Sequence, residues 1–128
     1  MLEIGIQGRA EDVVCEQNTA KNMGSGDLPV FATPCMVALM ENASLSSVAP
    51  ELEEGQSTVG TRICVSHDSA TPIGLKVWAE STLTEIDGRR LVFEVRAFDE
   101  RGLIGQGTHE RFIIKQQRFL EKAEAKKA

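Results

Sequence analysis

Between Pro34 and Val48 the apolar positions recur at helical spacing. Val37, Glu41, Leu45 and Val48 fall on one face at i, i+4, i+8 and i+11, with Ala38 beside them. The pattern predicts one helix over residues 34–48. Thr33 fits its N-cap, Pro34 its first helical position, and Pro50 its stop. From Ser57 the period changes to two. Val59, Thr61, Ile63, Val65 and His67 alternate onto one strand face, and Gly60, Arg62, Cys64 and Ser66 onto the other. Residues 75–86 and 91–98 read as two further strands joined at Asp87-Gly88, a strong hairpin signal. Asp99-Glu100-Arg101-Gly102 gives a second turn into a long strand over residues 103–115, which carries Gly105 and Gly107 on one face.

The ends of the chain are patterned less strongly. Residues 1–17 alternate loosely, with Val13-Val14-Cys15 the best strand candidate. Asn18 or Thr19 can cap a short helix through Met23, and residues 24–29 form a flexible connector. Residues 116–128 read as a charged amphipathic helix. The assembled order is α+β: one apolar helix that must be covered by one curved antiparallel sheet. Such a sheet has free edges, so dimerisation through an edge is expected.

Composition narrows the class. A chain of 128 residues, 41% of them hydrophobic, suits one domain over residues 1–128; that size buries roughly two-thirds of its unfolded surface. A net charge of −5 argues against nucleic acid or an anionic membrane as partner. Cys15, Cys35 and Cys64 are odd in number and widely spaced, which indicates neither a disulfide framework nor a zinc site and fits a reducing cytoplasm. No run approaches the roughly 18 apolar residues of a membrane span, and the first residues lack the pattern of a signal peptide.

Glu41 then stands out as a carboxylate on the face that should be core. An unpartnered buried carboxylate costs several kcal/mol, so it needs a partner or a use. His67 is the only ionisable group on the strand face expected to look toward the helix, and Thr33 lies about two turns before Glu41. A helix N-terminus also offers free N–H groups to a polarised carbonyl. The plainer alternative is that Thr33 only caps, His67 only ends a strand, and Glu41 reaches solvent or an arginine. His109 and Arg111 alternate onto one face of the last strand with Glu110 opposite. Beside Gly105 and Gly107 they suggest close approach of a ligand or another backbone. The glycines of residues 102–107 open no helix and make no phosphate loop.

Several segments, in order and at compatible spacing, resemble the hot-dog-fold thioesterases, and specifically their fluoroacetyl-CoA thioesterase-like branch. They are Val30-Phe31-Ala32-Thr33-Pro34, the strand from Val59 to His67, Ala70-Thr71-Pro72-Ile73-Gly74, Asp87-Gly88-Arg89-Arg90-Leu91, and Ile104 to Arg111. The likeness spans about residues 9 to 120. It implies the hot-dog fold, a long antiparallel sheet wrapped around one central helix, paired as a homodimer or higher oligomer with acyl-CoA sites near the subunit interface. It would make Thr33, Glu41 and His67 catalytic and place Gly60, Phe31 and Arg111 at the substrate. The phenylalanine gate of the fluoroacetyl-specific branch is replaced here by Asp27-Leu28-Pro29, so a short acyl-CoA of open identity is the expected substrate.

The expected chemistry is thioester hydrolysis, with Glu41 as nucleophile forming a transient anhydride or as general base on water. His67 would activate water or stabilise charge, and Thr33 would orient Glu41. No metal or cofactor beyond the CoA of the substrate is expected. A non-catalytic acyl-CoA binding module is the first alternative. Enoyl-CoA hydration ranks third, because the helix and the connector before it hold no histidine.

Overall fold

Alternation of apolar and polar residues builds five strands: β1 (Gln7–Val13), β2 (Gln56–His67), β3 (Lys76–Asp87), β4 (Arg90–Asp99) and β5 (Gly102–Lys115). A computed structural model, which describes residues 1–128, places them in one antiparallel sheet of order β1-β3-β4-β5-β2. β1 lies earlier than the expected Val13-Val14-Cys15. The β3–β4 turn falls one residue later than Asp87-Gly88, on Gly88 and Arg89, with Gly88 at φ 61° and Asp87 paired to Arg90. A short helix α1 (Ala20–Met23) is capped by Thr19, whose Oγ1 accepts from Asn22 N at 3.2 Å. The long helix α2 (Thr33–Val48) ends in a 3-10 turn that contains Pro50, and α3 (Gln116–Glu124) closes the chain.

The sheet curls over α2, which rests chiefly on β1 and β3 and also reaches β2 and β4. This is the hot-dog layout. The buried core gathers Met36, Met40, Ala43 and Val48 of α2 with Val77, Leu83, Leu91, Phe93, Val95 and Ile104 of the sheet. The helix is therefore rotated from the face that its spacing suggested. Val37 and Leu45 are half-buried, Ala38 is exposed, and the Glu41 side chain keeps 41% of its surface at the rim. The first turns of α2 are apolar nearly all round, so periodicity could not fix which side turns inward. The flexible methionines took the concave side, where the thioether stem fills irregular space.

A second departure lies in β2. The β2–β5 register slips between Gly60 and Arg62, leaving Thr61 as the extra residue of a bulge. One extra residue exchanges the faces on either side of it. Thr58 and Gly60 turn inward ahead of the bulge, and Ile63 and Val65 pack on the core after it.

Gly105 and Gly107 answer the expectation of close approach, and what approaches is backbone. A Cβ on Gly107 would lie 2.0 Å from the Cys64 carbonyl oxygen, and one on Gly105 2.4 Å from that of Ser66. Both contacts are with β2, which cannot retreat without losing its ladder to β5. Gly107→Ala should therefore destabilise the protein by about 1–3 kcal/mol, the usual cost of overpacking. A lower urea midpoint at unchanged slope would show this, and an unchanged midpoint would refute it.

Candidate active site

The sequence just before α2 is held on both sides. Phe31 N donates to Thr71 O at 2.8 Å and Ala32 N donates to Asn18 O at 2.9 Å, with bridges Thr19↔Phe31 and Val30↔Pro72. Thr71 is itself buried and donates its hydroxyl to Asp99 Oδ2 at 2.6 Å. Thr33 is consequently delivered to a fixed place. The helix N-cap is Ala32, one residue earlier than expected, so the Thr33 hydroxyl makes no cap. It lies 2.7 Å from His67 Nδ1 at the end of β2. The chain after His67 is pinned by Asp68 N donating to Ile104 O at 2.7 Å.

The other imidazole nitrogen of His67, Nε2, is buried and has no hydrogen-bond partner. Burial lowers the proton affinity of this ring below that of a free imidazole, against the opposing pull of Asp68 and of the Ser69 backbone. A neutral His67 with one nitrogen on a hydroxyl and the other unengaged is suited to receive or deliver a proton. The pair opens into a cleft of about 230 Å³, whose lining includes Phe31, Thr33, His67, Asp68 and Ser69.

Glu41 belongs to a second cluster. Its Oε2 lies where a side chain on Gly60 would stand, 2.7 Å from that position, and His109 and Arg111 close the same space at 3.2 and 3.3 Å. Arg111, only 5% exposed, donates from Nε to Thr58 Oγ1 and from Nη2 to Thr58 O, each at 2.8 Å. Its Nη1 faces His109 Nε2 at 3.2 Å and Glu41 Oε2 at 3.8 Å. The last distance is an ion pair without a hydrogen bond, which leaves the carboxylate free to engage water or substrate. Glu110 points to the opposite face and pairs with Arg90 at 3.0 Å, and that guanidinium holds its carboxyl below the usual range.

The structure thus brings Thr33 to His67, and Glu41 to Gly60 and Arg111, but it does not bring Glu41 to His67 within one chain. Gly60 and His67 are seven residues apart on β2, about 23 Å at the rise of an extended strand. Thr33 orients His67 rather than Glu41, and the expected carboxylate–imidazole pairing gives way to the arginine alternative. Phe31 is buried and lines the His67 cleft from the core side.

Two members of the Glu41 cluster, His109 and Thr58, were not among the expected site residues. His109 left a signal, since it shares with Arg111 the inward face of a strand where apolar side chains would be expected. Thr58 left none. A larger concavity, about 760 Å³, lies elsewhere, between residues 53–56 and 115–121. Leu120 is the one hydrophobic residue that lines it, and it carries none of these groups.

The family model for the fluoroacetyl-CoA-specific thioesterase matches residues 14–117. The fluoroacetyl-CoA thioesterase of Streptantibioticus cattleyicolor is 47% identical over 97 residues, 76% of this chain and 70% of that protein. A solved structure of the fluoroacetyl-CoA-specific thioesterase superposes with a TM-score of 0.92 at 39% identity, covering 98% of each chain. A phenylalanine-to-alanine mutant of that enzyme in complex with fluoroacetate and CoA gives 0.86 at 40% identity, over 92% of this chain and 99% of the other. The helix wrapped by one curled sheet, the ordered motifs and these likenesses agree: the chain belongs to the fluoroacetyl-CoA-specific thioesterase family.

Proposed function

We propose that this protein hydrolyses a small acyl-CoA thioester to the free acid and CoA, with Glu41 as the reacting carboxylate. The observation that carries the assignment of Glu41 is its position at the rim, against a glycine whose missing side chain makes room for the carboxylate and beside a buried arginine. Either the carboxylate attacks the thioester carbon and expels CoA thiolate, leaving an acyl anhydride that water cleaves, or it takes a proton from the attacking water. In the first route His67, held by Thr33, takes a proton from the water that cleaves the anhydride and passes it to the CoA thiolate; in the second Glu41 holds that proton until the thiolate takes it, and in both Arg111 balances the charge around the carboxylate. No cofactor is required beyond the CoA of the substrate. Asp27 is exposed and no aromatic residue stands among residues 24–30, which favours a small acyl group of broader identity. The three unpaired cysteines support a cytoplasmic setting, and no helix is long and apolar enough to cross a membrane.

The separation of the two clusters favours a homodimer with shared sites. β2 is an edge strand whose outer side is unpaired. The side of α2 that carries Val37, Ala38, Glu41 and Leu45 is left only partly covered. Antiparallel pairing of two β2 edges about a two-fold axis between Ile63 and Cys64 would set Gly60 of one subunit opposite His67 of the partner subunit. One site would then combine Glu41, Gly60 and Arg111 of one copy with a Thr33–His67 pair of the other.

Glu41→Gln should reduce thiol release by about 10²–10⁴-fold, the usual contribution of a positioned acid–base group, while the protein stays folded. Near-normal turnover in that variant would sink the hydrolytic role of Glu41, and tight CoA-ester binding without thiol release in the unaltered protein would favour a binding module. Single-turnover hydrolysis in oxygen-18 water separates the two routes, because label enters Glu41 only through the anhydride.

Mixing unfolded Glu41→Gln and His67→Ala chains and refolding them together tests the shared site. Half the dimers formed are mixed, and each mixed dimer holds one intact site, so activity should return to about one quarter of that of the unaltered protein. Two sites each complete within one chain would give no recovery.

The histidines also set an acid limit. Burial holds His67 and His109 below the ordinary imidazole value of about 6.5. The unfolded chain therefore takes up protons first as the pH falls. Their contribution to stability is complete above that value and is lost as the pH drops through the folded-state values. Titration followed by imidazole proton resonances should show both midpoints below 6.5, and a midpoint above it for His67 would contradict its burial.

A further inference from the structure

His109 is 1% exposed, and its hydrogen bonds leave it a single protonation state. Nδ1 lies 2.8 Å from the Arg62 carbonyl oxygen, which can only accept, so Nδ1 carries a hydrogen. Nε2 lies 3.2 Å from Arg111 Nη1, which can only donate, so Nε2 must present a lone pair. The ring is thus a neutral imidazole of one defined tautomer. It joins the backbone just after the β2 bulge to the guanidinium that faces Glu41. Phe93 packs at 6.3 Å between ring centroids and closes the core side.

From this geometry we infer that His109 is a positioning residue: its Nε2 lone pair holds the Arg111 guanidinium in the orientation that serves Glu41, and its Nδ1–H ties that orientation to the bulge. The Arg111 guanidinium is a rigid plane held at three points, Nε and Nη2 by Thr58 and Nη1 by His109. Without the His109 acceptor the Nη1 hydrogen is left unpaired, and the whole guanidinium can tilt about its Thr58 bonds toward Glu41, closing the 3.8 Å gap into a hydrogen-bonded pair that blocks the carboxylate. The charged groups around the ring are Arg111 and Glu41, with Glu110 directed to the other face and Arg62 engaged through its backbone. A proton on Nε2 would face the Arg111 cation directly, and burial disfavours it further. This rests on the reading of Glu41 as the reacting carboxylate.

Two variants separate positioning from mere packing. In His109→Gln the side-chain carbonyl reaches the place of Nε2 and can still accept from Arg111. In His109→Asn the shorter amide can still donate to Arg62 but leaves Nη1 without an acceptor. Both should lower Tm to a similar degree. For His109→Asn, kcat should fall about ten- to a hundredfold with KM little changed, the scale of a misplaced catalytic group, whereas His109→Gln should stay within about threefold. Nitrogen-15 spectra of the imidazole in the unaltered protein at pH 7 should show Nδ1 protonated and Nε2 bare. Equal losses in both variants that follow Tm, or a proton on Nε2, would overturn the inference. Glu41→Gln measured alongside keeps the two claims apart. Full activity there removes the role of Glu41 itself, whereas an inactive Glu41→Gln with indistinguishable Asn and Gln variants removes only the role of His109.

Discussion

The bulge at Gly60–Arg62 is the constraint on which the site depends. A regular β2 would carry Gly60 and His67 on opposite faces, since they are an odd number of residues apart. The extra residue, Thr61, lets Thr58 and Gly60 face inward at one end and Ile63 and Val65 at the other. Thr61 is held out by its hydroxyl, which donates to Glu110 O at 3.2 Å. The same kink presents the Arg62 carbonyl to His109. Sheet geometry and site chemistry therefore share one local irregularity.

A buried arginine is costly unless its donors are used. Here Arg111 sits inside the sheet with Thr58 and His109 taking three of its nitrogens, and Glu41 supplies the opposite charge at longer range. The arrangement satisfies the cation without binding the carboxylate tightly. His67 is treated in a comparable way, since one nitrogen is tied to Thr33 and the other is left without a partner. The groups proposed to react must be placed but not consumed by their neighbours, and both clusters meet that condition.

Much of the fold was legible in the chain. The change of period at Ser57, the turn at Gly88 and the second turn at Glu100–Arg101 fixed four long antiparallel strands to within a residue or two, because hairpin register follows from turn chemistry and alternation. Thr19 at the start of α1 and Pro50 after α2 acted locally, as capping and helix-stopping residues do. The site was legible in part. Glu41, Thr33, His67, Gly60 and Arg111 were singled out, but their pairing was not. Thr58 could not be found, because a threonine in a strand carries no mark of the guanidinium it will meet.

The sequence by itself determined the elements, their antiparallel order of turns, and the family, because those rest on local periodicity and on motifs read along the chain. Tertiary structure decided how α2 is rotated, which way each half of β2 faces, and which charge answers Glu41. The physical reason is the same in each case. A helix apolar on most sides has no preferred face until a sheet selects one, and a bulge is fixed by pairing with β5 rather than by β2's own residues. A carboxylate placed by periodicity acquires a partner only when strands distant in sequence bring Arg111 and His109 beside it.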